Sequence, residues 1–417
     1  MPVKIIKLII MQIKVSAPDN IRATIKLPAS KSISNRALVI NALGKGSFTP
    51  DNLSDCDDTS VMVKALSEEN ETIDIMAAGT AMRFLTAFLS VSEGTRIITG
   101  TKRMQQRPIR ILVDALRTLG AHIEYVGEDG FPPLKITGAL LTKKEISLKG
   151  DVSSQYISAL LMIAPILKHG LTIHLTGEVV SKPYIDLTLQ LMKDFGAKAE
   201  WIAESSIKVE PHPYAPVPFT VESDWSAASY WYEIVALAKD AEVELLGLFP
   251  NSYQGDSKVA DIFARLGIKT KFTPWGVMLK KTGKLPAKLD YDFVNEPDLA
   301  QTFVVTCVAL GLPFRFTGLQ SLKIKETDRI AALIKELGKL GYILREENNS
   351  ILSWNGERCE ADAIPVIDTY EDHRMAMAFA PMCLINQHIT INDPQVVSKS
   401  YPNYWEDLRL AGFIIND

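Results

Sequence analysis

Six stretches of helical length in this chain are almost wholly apolar, and a polar or charged tip leads into each one. The tips are Ser30-Lys31-Ser32, Gly79-Thr80, Ser153-Ser154-Gln155, Ser223-Asp224, Pro297-Asp298 and Asp372-His373-Arg374. Behind them run ALVINAL, AMRFLTAFL, YISALLMIAPIL, AASYWYEIVALA, LAQTFVVTCVAL and MAMAFAPMCLI. A helix that is apolar all round has to be buried. Its amino end then presents free N–H groups and the positive end of the helix dipole to whatever the tip faces. Such an end favours anions, and six of them predict a site for a strongly anionic ligand.

A second helix pattern alternates with the first and ends in a glycine stop, at Gly120, Gly196, Gly267, Gly341 and Gly412. From Gly79 onward the tips, and likewise the glycines, recur about every 70–76 residues. Each repeat has room for one buried helix, one amphipathic helix and three or four strands. Strand candidates include RIITG, PLKITG, EISLKG, LTIHLTG, SIKVE and GVMLKKTG. The sequence therefore predicts six α+β units, of which the first, from Ser30 to the helix SVMVKAL, is shortened by about a hairpin. At 417 residues the chain exceeds one ordinary core.

A net charge of −4 argues against a general nucleic-acid or membrane surface, so any cationic patch is local. The four cysteines, Cys56, Cys307, Cys359 and Cys383, have no zinc-binding spacing, and no metal is expected. Cys307 and Cys383 read as small core residues. The opening MPVKIIKLII does not read as a signal peptide, and Met11 is an alternative start. A cytoplasmic protein without membrane or nucleic-acid partners is expected.

In Ser30-Lys31-Ser32-Ile33-Ser34-Asn35-Arg36, Ser30 is a helix cap and two cations stand against the dipole in the first turns. Ser32 and Arg36 share a face, which suits a phosphate or carboxylate. A solvated helix start fits the same residues. In Ala78-Gly79-Thr80-Ala81-Met82-Arg83 the glycine allows close backbone approach, while Arg83 reads equally as structural or ligand-facing. Arg107-Pro108 and Ser181-Lys182-Pro183-Tyr184 hold equivalent helix entrances in successive units. Lys325-Glu326-Thr327-Asp328-Arg329 fits a salt-bridged turn as well as a site. Asp372-His373-Arg374 leads directly into a buried helix, so its charges need partners. Lys399 adds a cation at the last helix entrance.

Together SKSISNRAL, AGTAMR, RPI, VSSQYISALLM, SKPYID, QGD, KETDR and DHRMAMA, in this order, resemble the 5-enolpyruvylshikimate-3-phosphate synthase family of enolpyruvyl transferases over about residues 11–417. The resemblance implies an α/β (α+β) fold of two inverse α/β barrel-like domains, each of three βαβαββ units. These would be residues 1–28 plus 223–417, and 29–222, with the active site in the cleft between them. It implies transfer of the carboxyvinyl group of phosphoenolpyruvate to the 5-hydroxyl of shikimate 3-phosphate, without cofactor, by a monomer. Shikimate 3-phosphate would be held by Lys31, Ser32, Arg36, Ser153, Ser154, Gln155, Ser181, Tyr184, Asp298 and Lys325. Phosphoenolpyruvate would meet Lys31, Gly79, Arg107, Gln155, Arg329, Arg374 and Lys399. Asp298 would be the base, Glu326 the proton donor, and Lys31 would touch both substrates. The cationic surroundings are expected to lower the pKa of both carboxylates and of Lys31. Ala77, Phe84 and Ser321 depart from the residues the family often carries at those places.

Two alternatives compete. The sister UDP-N-acetylglucosamine 1-carboxyvinyltransferases need a reactive loop cysteine, and Cys56 lies among Asp55, Asp57 and Asp58, which disfavour a thiolate. A non-catalytic phosphometabolite-binding protein would have no need of both Asp298 and Glu326.

Overall fold

The structure is a computed structural model that describes residues 11–46, 49–68 and 70–416. The readings made of residues 1–10 lie outside these. The helices of the described residues are α1 (Lys31–Leu43), α2 (Asp57–Ser67), α3 (Gly79–Val91), α4 (Arg110–Leu119), α5 (Ser154–Ile163), α6 (Lys182–Asp194), α7 (Trp225–Leu237), α8 (Val259–Arg265), α9 (Ala300–Ala309), α10 (Arg329–Lys339), α11 (His373–Phe379) and α12 (Tyr404–Leu410). The odd-numbered helices are the six apolar stretches and are buried along most of their length; in α7 only Ser226 is partly exposed. The even-numbered helices carry the polar faces. All five glycine stops have left-handed backbone, φ between 77° and 114°, which a side chain would strain.

Among the described residues, five four-stranded sheets alternate with these helices. In the unit built on α5, Glu145–Lys149 pairs in parallel with Leu171–Thr176 across the buried helix. After α6 the hairpin Ala199–Ala203 and Ser206–Val209 returns antiparallel. Sheets around α3, α7 and α9 repeat that order. All six strand candidates form. In the last sheet the place of a hairpin strand is taken by Gln12–Ser16, which lies between His388–Asn392 and Ile414–Asn416.

The first unit is reduced further than the expected loss of a hairpin. Between α1 and Thr72 the described residues contain no strand ladder, only an isolated bridge from Asp51 to Thr220. The missing hairpin follows from length: α2 ends at Ser67 and the next unit's strand begins at Thr72, too few residues for two strands and a turn.

Apolar side chains collect into two separate cores. One draws on residues 13–27 and 225–413, the other on 29–221. The chain passes from one to the other in two adjacent segments. Ser30 N–H donates to the Glu222 carbonyl at 2.8 Å and Asp224 N–H to the Pro28 carbonyl at 2.9 Å, so the crossings form a two-stranded strap. No helix of the described residues is long and apolar enough to cross a membrane, and no group of three or more His, Cys, Asp or Glu among them could hold a metal ion.

Glu233 in α7 breaks the apolar pattern. It is wholly buried, and neither carboxyl oxygen has a hydrogen-bond partner among the described residues. The neighbouring Thr306 hydroxyl donates to the Thr302 carbonyl instead, at 2.7 Å. Burial pushes the Glu233 pKa well above the usual carboxylate range. The folded protein therefore holds a proton that the unfolded chain releases, and stability declines as pH rises above about 4. Glu233→Gln removes that loss. Its melting temperature at pH 8 is expected to exceed the parent's by at least about 2 °C, with the advantage shrinking toward pH 4, as differential scanning calorimetry would record.

Candidate active site

The tips of the buried helices converge on one cleft between the two cores. Lining it are Lys31, Ser32 and Arg36 of α1, Gly79 and Thr80 of α3, and Ser153, Ser154 and Gln155 at α5. Ser181 and Tyr184 of the α6 entrance join them, with Asp298, Lys325, Glu326 and Arg374 from the other core. The caps set the tips. The Ser153 hydroxyl accepts from Gln155 N–H at 3.4 Å, Asp224 from Ala227 N–H at 3.0 Å, and Asp372 from Arg374 N–H at 2.9 Å. The Gln155 amide donates to Thr80 Oγ1 at 3.2 Å, which joins two tips.

Arg36 is buried, yet its partners are all neutral. Nε donates to Thr188 Oγ1 at 2.7 Å, and the terminal nitrogens donate to the Ser32 carbonyl at 2.9 Å and Ser158 Oγ at 3.3 Å. Burial lowers its pKa to about 10. Phe84, one of the departures from the family pattern, lies under the guanidinium, 5.1 Å from its ring centroid. Arg107 and Lys399 line a small adjoining recess with Ala77, Glu326 and Glu371. Lys399 donates to the Glu371 carbonyl at 2.7 Å. A β-carbon at Gly79 would lie 2.5 Å from an Arg107 terminal nitrogen, so this glycine makes room for the guanidinium. Arg36, Arg107 and Lys399 have no carboxylate partner among the described residues.

The 225–413 half of the chain carries a dense ion-pair cluster. Arg329, 2% exposed, meets Asp372 at 2.7 Å, Glu326 at 2.9 Å and Asp298 at 3.2 Å. Arg374 meets Asp298 at 2.9 Å, and Lys325 lies 3.5 Å from it. Burial alone would raise the Asp298 pKa, but Arg374, Lys325 and Arg329 hold it well below the usual carboxylate range. Arg329, Arg107 and Lys325 do the same for Glu326 against its own burial. Lys31 behaves opposite to expectation. Burial favours its neutral form, but Asp58, 3.4 Å away, overrides this and raises the pKa to about 12. His373 is buried and held neutral by its burial beside Lys31 and Arg374, with neither ring nitrogen bonded among the described residues.

Every residue named from the sequence as a site candidate lies in or against this cleft. Arg329 is the one that lines neither recess, because it stands behind the carboxylates it neutralises. Arg83 is structural: it donates to the carbonyls of Gly79 at 3.0 Å and Pro108 at 3.3 Å. Sequence reasoning missed Asp58, Asp256, Ser226 and Tyr230. The acidic first turn of α2 is the sequence signal that marks Asp58. None of the four cysteines lines the cleft or the recess.

The sequence profile of the family described as EPSP synthase (3-phosphoshikimate 1-carboxyvinyltransferase) matches residues 15–72 and 67–408. A 3-phosphoshikimate 1-carboxyvinyltransferase of Bacteroides fragilis is 68% identical over 97% of this chain and 98% of its own. Its namesake in Shewanella pealeana is 38% identical over 95% of this chain and 99% of its own. A solved EPSP synthase of Acinetobacter baumannii superposes with a TM-score of 0.76 at 20% identity, covering 97% of this chain and all of the other, a likeness of fold.

Asp372→Asn leaves Arg329 with Glu326 and Asp298 but removes the shortest of its three ion pairs. It is therefore expected to destabilise the protein by about 1.5–3 kcal/mol, the range for a hydrogen bond to a charged group, seen as a lower urea midpoint that added salt barely changes. The depressed pKa values of Asp298 and Glu326 set the pH sign: their contribution is complete above about pH 5 and is lost as pH falls through the folded-state values.

Proposed function

Because the chain belongs to the EPSP synthase family, we propose that it transfers the carboxyvinyl group of phosphoenolpyruvate to the 5-hydroxyl of shikimate 3-phosphate, a step of aromatic amino acid biosynthesis. The hydroxyl oxygen adds to C2 of phosphoenolpyruvate while the methylene carbon is protonated. The tetrahedral intermediate then expels phosphate as its methyl group gives a proton back to Glu326, which forms the carboxyvinyl double bond. The observation that carries the assignment to this cleft is the set of cations without carboxylate partners, Arg36 on one side and Arg107 with Lys399 on the other. Two phosphates and two carboxylates repel one another unless each finds cations, and a charge-assisted hydrogen bond contributes about 1.5–3 kcal/mol.

In this reading residues 1–28 with 223–417 form one domain and 29–222 the other, and the substrates lie where they meet. Ser153, Ser154 and Ser181 take the shikimate phosphate, with Lys31, Ser32, Arg36, Gln155, Tyr184 and Lys325 around the same substrate. Arg107 and Lys399 take the phosphate of phosphoenolpyruvate near Gly79 and Gln155. Its carboxylate competes with Asp298 and Glu326 for Arg374 and Arg329, and Lys31 reaches both substrates. Asp298 is the base at the 5-hydroxyl and Glu326 the acid at the methylene carbon. Glu326 is ionised in the absence of ligand, so its role requires substrate anions to offset the cations that depress it. The chain acts as a cytoplasmic monomer.

Asp298→Asn is expected to lower kcat by about 10²–10⁴-fold in an assay of phosphate release with both substrates, the usual range for a lost general base. Undiminished turnover would remove Asp298 from that role. Arg107→Ala is expected to raise KM for phosphoenolpyruvate by about 10–100-fold, equivalent to one charge-assisted bond, and to leave KM for shikimate 3-phosphate nearly unchanged. Equal increases for both substrates would contradict the placement of the phosphate.

A further inference from the structure

Asp256 lies beneath the cleft, behind Asp298. It belongs to the short helical turn Gly255–Lys258 ahead of α8 and is 3% exposed. Two hydroxyls that line the cleft reach down to it. The Tyr184 hydroxyl is 3.2 Å from Asp256 Oδ1 and 3.4 Å from Asp298 Oδ2, and the Ser226 hydroxyl donates to Asp256 Oδ2. Tyr184 has one proton for two carboxylates.

The surroundings of the two acids are opposite. Asp298 meets Arg374, Arg329 and Lys325 within 3.5 Å. Asp256 pairs with no cation among the described residues. Facing it are Tyr184 of α6, Ser226 and Asp224 at the start of α7, Asp298 ahead of α9, and Arg374 of α11, which is already bound to Asp298. Burial, and then the charge of Asp298, push the Asp256 carboxyl up to about 7. Asp298, held far below that, is a poor resting place for a proton, and a proton it accepts runs downhill to Asp256.

Building on the assignment of Asp298 as base, we propose that Asp256 is the terminal acceptor of the substrate hydroxyl proton, reached from Asp298 across the Tyr184 hydroxyl. As the O–H bond of the 5-hydroxyl breaks, its electron pair forms the bond to C2 and its proton passes to Asp298 Oδ2. That proton moves on to the Tyr184 oxygen while the proton of Tyr184 crosses to Asp256 Oδ1. Asp298 and Tyr184 return to their starting states and Asp256 is neutral. In the second step the proton goes back along the same path and leaves with the released phosphate.

The pH dependence of kcat tests this. An acceptor must be ionised, so the parent enzyme is expected to lose activity below about pH 7. Asp256→Asn is expected to cut kcat at pH 8 by at least about tenfold, keep both KM values within about threefold, and remove that acid limb. Tyr184→Phe leaves both carboxylates in place and breaks the path. It should cost kcat as much, and the double variant should be no slower than either single one. An acid limb that persists near pH 7 in Asp256→Asn overturns the proposal, even if kcat falls, because a structural role lowers kcat at every pH. Should Asp256→Asn not fold, Tyr184→Phe decides: kcat within about twofold of the parent at pH 8 overturns it. Asp298→Asn separates the layers: its full turnover removes the underlying base assignment, whereas an inactive Asp298→Asn beside a parent-like Asp256→Asn removes only the relay.

Discussion

A single buried guanidinium holds this site together. Arg329 meets three carboxylates from three different segments: Glu326 one turn before its own helix, Asp298 ahead of α9, and Asp372 at the cap of α11. An uncompensated charge in that position would be intolerable, so the segments are obliged to meet. Asp372 also caps α11 and so aims Arg374 at Asp298. Structure and chemistry thus share the same atoms: the cations that make the three tips cohere also keep Asp298 and Glu326 ionised.

Three other cations of the cleft follow the opposite principle. Arg36 is buried among hydroxyls and carbonyls, and Arg107 and Lys399 have no carboxylate partner among the described residues. The ion-pair cluster is internally neutralised, whereas Arg36 and Arg107 from one half of the chain and Lys399 from the other are left short of negative charge. The shortage is tolerable because hydroxyl and carbonyl oxygens solvate these cations in part. Anionic substrates supply what is missing.

Much of this was legible in the sequence because periodicity and capping are local. The apolar runs behind Ser153 and Asp372, the glycine stops and the six strands needed only patterns within a few residues. The convergence of Lys31, Arg107 and Arg374 was inferred from resemblance, since nothing local says which tips face one another. What was missed had local marks, the acidic first turn of α2 and the string QGD, but its role depends on distance in space. Asp58 reversed the expected shift of Lys31, and Asp256 stands 72 residues from the tyrosine it bonds. The shortened first unit was recognised by spacing, but spacing alone understated how much of its sheet is gone.

The last sheet of the described residues is completed by their first strand. Gln12–Ser16 has no ladder neighbour until His388–Asn392 and Ile414–Asn416 exist. On the ribosome, therefore, the stretch between the two crossing segments emerges with all of its core-forming residues, while the flanking half waits for the final turns of synthesis. That closure spans nearly the entire polypeptide, where loop entropy is greatest and assembly slowest. Gln12–Ser16 is translated ahead of both its ladder partners and can enter its sheet only once they have emerged.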